Sequence, residues 1–146
     1  MLLHKAALAP LPGLTMRFDV HIDDIDLGGW ATCAGLEVNF GLLEWKEGGT
    51  NTHSYWLPDR VKYEKITLTR PMTKEDSGKL SRWLSRCIDK EEGGTAKITL
   101  RDAHASEVCS WSLRNVLPSS WKGPQLDATG TKVAFETLVL VHEGFL

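Results

Sequence analysis

His21, Asp23, Asp24 and Asp26 form the densest polar cluster in the chain, and a cation would need their imidazole and carboxylates to converge. The spacing fails that test. Gly28 stands where an EF-hand-like series needs its third oxygen ligand and no Glu closes the loop, so the cluster reads as an acidic turn between strands. Asp102, His104 and Ser106 carry the residue types of a hydrolase triad, but crowded into one turn they supply no buried orienting acid and no nucleophile elbow. His53 with Ser54 has no partner acid and reads as a surface contact. Gly48-Gly49 and Gly93-Gly94 lack a following Lys-Ser/Thr and a βαβ setting, so they are not phosphate cradles. Six tryptophans could stack on sugars. Trp83 and Trp111 fall on predicted apolar faces and read as core, whereas Trp30, Trp45, Trp56 and Trp121 stay open. No enzyme, metal or cofactor is expected.

The stretch from Gly35 to Arg70 organises the rest. Leu36, Val38 and Phe40 alternate with Glu37, Asn39 and Gly41 in one strand, and Val61, Tyr63, Ile66 and Leu68 mark a second strand region. Between them, Trp45 to Asp59 reads as a long polar loop that returns through Tyr55, Trp56, Leu57 and Pro58. Most connections in compact domains run about four to six residues, and longer ones are usually functional or disordered. Its aromatics argue for order. A chain too small to cover such a loop leaves it for a second protein molecule.

Around this stretch, Met16, Phe18, Val20 and Ile22 alternate as a half-buried strand. Asp23-Asp24 makes a tight turn, and Gly28-Gly29 permits a bulge in the return strand. After Pro71 the period changes to that of a helix, with Thr73 and Asp76 as a capping box and an apolar face of Leu80, Trp83, Leu84, Cys87 and Ile88. Gly93-Gly94 is expected to end it. Ala96 to Arg101 and Cys109 to Arg114 form a hairpin about a turn at Asp102 to Ser106. Leu117 to Gly130 reads as another excursion, and Lys132 to His142 as a strand apolar on both faces, hence central or pressed on a neighbouring subunit.

The 146 residues suit one domain with its own core, residues 14–146, behind an N-terminal arm over residues 1–13. Net charge of −2 with dispersed cations gives no reason to expect nucleic acid as a partner. Three cysteines without CxxC spacing suit a reducing cytosol as small buried hydrophobes, and assembly is expected in the cytoplasm. No run approaches the ~20 apolar residues of a membrane span, so no membrane is expected around the isolated subunit. The expected fold is mainly β (α+β): a two-sheet antiparallel β-barrel or sandwich with one flanking helix.

The pieces in order resemble a known family. Pro10-Leu11-Pro12-Gly13, Phe18 to Asp23, Gly35-Leu36-Glu37, Glu44 to Gly49, Leu57-Pro58 and Ile66-Thr67-Leu68 are similar to segments of the tail tube proteins of contractile phages. Ile98 to Asp102, Trp111 to Asn115, Pro118, Gly123 to Asp127, Glu136-Thr137-Leu138 and His142 to Phe145 continue the match. The likeness is nearest to inner-tube proteins of phage-derived contractile injection systems. It implies hexameric rings stacked into a hollow tube inside a contractile sheath, with baseplate and cap proteins at the ends. Cargo would pass through the lumen, and the particle would be released or act inside the cell. Trp45, Lys46, Glu47, Gly48, Gly49, Asn51, His53, Tyr55, Trp56, Leu57 and Pro58 would form the contact between rings and subunits, and Glu37 and Asn39 would face the lumen. Asp59, Pro71 and Val116-Leu117 depart from the family pattern. A specialised tube-initiator or terminal ring protein is therefore one alternative, and a monomeric carbohydrate-binding β-sandwich is another.

Overall fold

The computed structural model describes residues 17–46, 54–130 and 133–146. The N-terminal arm lies outside them. The strands are β1 (Arg17–Ile22), β2 (Ile25–Trp30), β3 (Thr32–Ala34), β4 (Val38–Trp45), β5 (Tyr55–Tyr63), β6 (Ile66–Pro71), β7 (Gly94–Arg101), β8 (Glu107–Lys122) and β9 (Phe135–Val141), with helix α1 (Lys74–Cys87) after β6. A seven-stranded ladder runs β2-β1-β7-β8-β9-β6-β3, and β4 pairs with β5 as a separate two-stranded sheet.

Alternation drives the ladder. Val20 and Ile22 of β1, Ala96 and Ile98 of β7, Leu113 of β8, Leu138 and Leu140 of β9 and Leu68 of β6 all turn inward and are buried. These side chains form one contiguous core with Leu27, Leu80 and Trp83, and burial of each large one contributes about 1.5–3 kcal/mol before the entropy of ordering it is subtracted. The ladder folds into two layers. β2, β1, β7 and the first part of β8 make one, and the rest of β8 with β9, β6 and β3 makes the other. It does not close into a barrel. Its two ends, β2 and β3, are successive pieces of one strand interrupted at Ala31, whose amide donates to the Thr69 carbonyl at 3.0 Å.

β8 crosses between the layers at Asn115, which sits in the left-handed region with φ of 49°. Its side chain holds that corner: Oδ1 accepts from the Gly93 amide and Nδ2 donates to Glu143 Oε1, both at 2.9 Å. The expected excursion from Leu117 is thus strand as far as Lys122, with Leu117 opposite Val141 and Trp121 opposite Leu138. β9 lies between β8 and β6, as its apolar run requires.

α1 begins where its cap predicts, the Asp76 amide donating to Thr73 Oγ1 at 3.3 Å. It stops at Cys87, well short of Gly93-Gly94, and Gly94 instead opens β7. Ile88, expected on the apolar face, is exposed. Leu80 and Trp83 carry that face. Cys109 is exposed and Cys33 and Cys87 are half-buried, so none is the fully buried hydrophobe expected. Burial pushes the Cys33 thiol up to about 11, which keeps it protonated at neutral pH.

One buried cluster ties these layers together. Arg70 of β6 and Glu136 of β9 stand opposite each other in the register, with Arg70 Nε donating to Glu136 Oε1 at 2.7 Å. The guanidinium also donates to the Leu27 carbonyl and, at 3.1 Å, to that of Asp76. It lies 4.0 Å from the Trp30 ring centroid. Glu136 accepts further from Ser77 Oγ at 3.1 Å and Trp121 Nε1 at 3.2 Å. Burying a charge pair is tolerable only when the remaining donors and acceptors are met. Here β2, β6, α1, β8 and β9 all contribute to meeting them.

Candidate functional site

The polar groups singled out in the sequence serve turns. Asp23 and Asp24 join Ile22 to Ile25, with Asp23 at φ 53° and its Oδ1 accepting from the Thr95 amide. Asp26 Oδ1 accepts from the Gly28 amide at 2.8 Å and lies 3.8 Å from His21 Nε2. The β1–β2 register slips beside Gly28, whose φ is 84°, which is the expected bulge. Asp102 Oδ1 accepts from the amides of His104 and Ser106, tying the β7–β8 turn. Among the described residues no three His, Cys, Asp or Glu side chains converge as metal ligands.

The β4–β5 hairpin is different in kind. The sequence predicts a loop from Trp45 to Asp59, yet Leu42 pairs with Pro58, Leu43 with Leu57, Glu44 with Trp56 and Trp45 with Tyr55. Strand structure therefore reaches as far as Trp45 and resumes at Tyr55. Glu47, Gly48, Gly49, Asn51 and His53 of the expected contact set lie outside the described residues. Val61 and Tyr63 belong to β5, whereas Ile66 and Leu68 belong to β6 in the main ladder, so the second strand region is two strands.

Directly paired residues share a face, so the register sorts the hairpin's side chains. Val38 with Tyr63, Phe40 with Val61, Leu42 with Pro58 and Glu44 with Trp56 form one face. Asn39 with Lys62, Leu43 with Leu57 and Trp45 with Tyr55 form the other. Gly41 and a register slip opposite it let β5 bend: a Cβ on Gly41 would stand 2.7 Å from the Arg60 carbonyl oxygen. The first face is apolar along most of its length. The second is polar near the root and apolar toward the tip.

These apolar groups are uncovered. Phe40 is 60% exposed, Trp45 56% and Trp56 61%, and Leu42, Leu43, Leu57 and Val61 are exposed with them. Trp45, Tyr55, Trp56 and Leu57 line a recess of about 400 Å³. Lys46 is exposed beside them, 4.0 Å from Glu44. Trp45, Tyr55, Trp56 and Leu57 thus line one recess and Pro58 stands opposite Leu42, while Phe40, Leu42, Leu43 and Val61 add exposed apolar surface outside the contact set read from the sequence. The doublet Leu42-Leu43 is the signal for them, since consecutive apolar residues in a strand need cover on both faces.

Glu37 and Asn39 are exposed at the root, where Asn39 Nδ2 donates to Glu64 Oε1 at 3.4 Å and Lys62 lies 3.9 Å from the same oxygen. The root is anchored to the body by Tyr63, whose ring meets Phe145 at 5.1 Å and His142 at 5.5 Å. His142 Nδ1 accepts from the Gly144 amide at 3.1 Å, leaving Nε2–H to donate to the Glu64 carbonyl at 3.0 Å. Burial holds the His142 pKa below its ordinary value, opposed by the Glu64 hydrogen bond and assisted by the nearby Arg114 charge.

The family model described as T4-like virus tail tube protein gp19 matches residues 14–146. Comparison with curated protein sequences finds no match. Among solved structures, a chain of an extracellular contractile injection system, the PVC sheath–tube complex in its extended state, superposes with a TM-score of 0.75 at 21% identity, covering 99% of this chain and 95% of that one. A chain of the anti-feeding prophage baseplate gives 0.72 at 22% identity, with 93% of each chain covered. A chain of the same prophage's tube-terminating cap gives 0.72 at 24% identity over 90% and 87%. At such identities the likeness establishes a shared fold.

Proposed function

Because the chain belongs to the T4-like virus tail tube protein family, we propose that it is a structural inner-tube subunit of a contractile injection system or phage tail. Its residues 14–146 would act as a single tube domain behind an N-terminal arm, forming hexameric rings that stack around a hollow lumen. The observation that carries this reading is the β4–β5 hairpin, a two-stranded sheet with exposed apolar side chains on both faces. A lone hairpin is marginal in water. Contiguous apolar surface of this kind marks a protein contact, and head-to-tail contact between identical subunits generates rings and open stacks.

In this reading Trp45, Lys46, Glu47, Gly48, Gly49, Asn51, His53, Tyr55, Trp56, Leu57 and Pro58 form the contact with neighbouring subunits and rings. Glu37 and Asn39, on the hydrophilic root face, look into the lumen and let cargo slide without apolar adhesion. The sheath surrounds the tube, and baseplate and cap proteins bind its ends. The work of the protein is mechanical: it transmits thrust and carries out no reaction.

Negative-stain electron microscopy of the purified protein over a concentration series, with mass determination in solution, tests this. Rings and stacked tubes with a central hole are expected. Rings that never stack would assign the chain to a tube-initiating or terminal position, and a monomer at every concentration that binds a glycan would overturn the tube reading.

A further inference from the structure

The β4–β5 hairpin is the far half of a longer ribbon. In the β3–β6 pair Thr32 faces Thr69, Cys33 faces Leu68 and Ala34 faces Thr67, and the same register resumes where Val38 faces Tyr63 and Asn39 faces Lys62. The break between the halves is short. The Glu37 carbonyl still accepts from the Glu64 amide at 3.2 Å, but the Glu37 amide turns back to the Gly35 carbonyl at 2.7 Å. Gly35 takes a φ of +96°, which residues with a side chain rarely adopt. The ladder that stiffens the ribbon is therefore interrupted between Ala34 and Val38.

Across that break stands a turn at the end of β9. The neutral His142 ring uses both nitrogens, Nε2–H donating to the Glu64 carbonyl and Nδ1 accepting from the Gly144 amide. The second bond closes the turn that sets Phe145 edge-on against Tyr63, at the root of the hairpin. Gly144 permits the approach: its φ is +138°, and a Cβ there would stand 2.7 Å from the Tyr63 ring. A proton on Nδ1 would point at the Gly144 N–H, donor against donor. The surrounding charges do not favour that proton. Arg114 of β8, held on the Leu146 carbonyl at 2.6 Å, is the nearby cation and opposes it. The Glu64 carboxylate is taken up by Asn39 and Lys62, and that of Glu143 by Asn115. Among the described residues no carboxylate lies within 4.0 Å of the His142 ring nitrogens.

We propose that the His142 turn is a proton-operated latch on the hairpin. With the imidazole neutral, the Glu64 and Gly144 bonds and the Phe145–Tyr63 contact fix the angle at which the ribbon leaves the body. With the imidazole charged, the turn opens, Phe145 leaves Tyr63, and the hairpin swings about Gly35 to Glu37. This deepens the tube reading and rests on it for what the hairpin meets: subunits assemble at neutral pH through a held hairpin and lose that contact in acid. Each subunit of a ring would bring one such proton, so assembly would depend on pH more steeply than a single hairpin does.

Hydrogen exchange of the full-length protein, read by mass spectrometry and corrected for the chemical exchange rate, tests the latch directly. Between about pH 7.5 and about pH 5.5 the amides of residues 59–65 should exchange several-fold faster. The rise should not exceed about tenfold, because one group with an ordinary value of 6.5 in the open form favours that form by no more at one pH unit below it. Amides of β1 and β7 should not follow. His142→Gln should abolish the response, and His142→Lys should exchange at the higher pH as fast as the wild type in acid. Phe145→Ala, which leaves the imidazole in place, should open the root at both pH values. His21→Gln and His53→Gln should leave the response intact. A root that exchanges alike at both pH values, or a response that survives His142→Gln, would overturn the proposal. Electron microscopy at the same two pH values separates the readings. Tubes that dissolve in acid in the wild type and persist in His142→Gln are expected. Tubes that persist in acid in both leave the tube reading standing and remove the latch, whereas a wild type that never assembles removes the tube reading even if exchange at the root follows His142.

Discussion

The buried Arg70–Glu136 cluster and the exposed β4–β5 hairpin use side chains in opposite ways. In the first, two charges are fully enclosed and almost every donor and acceptor finds a partner within the chain. In the second, tryptophan, phenylalanine and leucine stand in water on a sheet of two strands. The cluster's polar groups are met within the chain, whereas the hairpin's apolar groups are not covered by it. On the tube reading proposed above, stability of the fold and capacity to assemble rest on separate residues and should respond to different mutations.

The sharpest test of the body is Glu136→Ala. It leaves Arg70 buried with its charge unmatched and should cost about 3–5 kcal/mol in a urea titration; a loss below about 1 kcal/mol would mean that water reaches the guanidinium. Gly35→Ala attacks the junction between body and hairpin. Gly35 has φ of +96° and an added Cβ would fall 1.8 Å from the Lys65 carbonyl oxygen, so backbone strain alone should cost roughly 1–3 kcal/mol. The same change having no effect would place the junction elsewhere.

Trp45→Ser combined with Trp56→Ser should reverse the pattern. Monomer stability changes by less than about 0.5 kcal/mol, whereas assembly, followed by sedimentation and microscopy, should require on the order of a hundredfold more protein. Unfolding of the monomer instead would show that these tryptophans support the body. The smallest effect concerns the root. Since the His142 pKa is lowered from its ordinary 6.5, the unfolded chain takes up the proton first. Stability should be flat above about pH 6.5 and fall as the pH drops toward the folded value. Protonation also removes the Nδ1 acceptor from the Gly144 amide. A thermal melt series on His142→Gln should lose that slope, and a retained slope would assign it to other groups.

The sequence made the body legible wherever one face of an element is buried. Val20 and Ile22, Ala96 and Ile98, and Leu80 with Trp83 repeat at the periods their elements require, and the Thr73 cap and the Gly28 bulge follow from local chemistry. The hairpin was hidden because periodicity reports burial. Tyr55 to Val61 has both faces in water within the monomer, and Pro58, tolerated on an edge strand, reads as a loop residue. In β8, Pro118, Ser119 and Ser120 conceal a strand in the same way. The partnership of Arg70 and Glu136 spans 66 positions and becomes visible only once β6 and β9 are in register. The aromatics of the hairpin stand out in the sequence, whereas the extension of the exposed apolar surface to Phe40 and Val61 needs the pairing.

Two strands pass from one layer to the other without a loop: β2 into β3 at Ala31, and the 16-residue β8 at Asn115. Sheets joined by flexible connections can slide over one another when pushed. Here such sliding would have to stretch or buckle continuous backbone on both flanks of the sandwich. In the proposed tube, a subunit braced in this manner would resist shear as a box girder does and pass thrust from one end to the other.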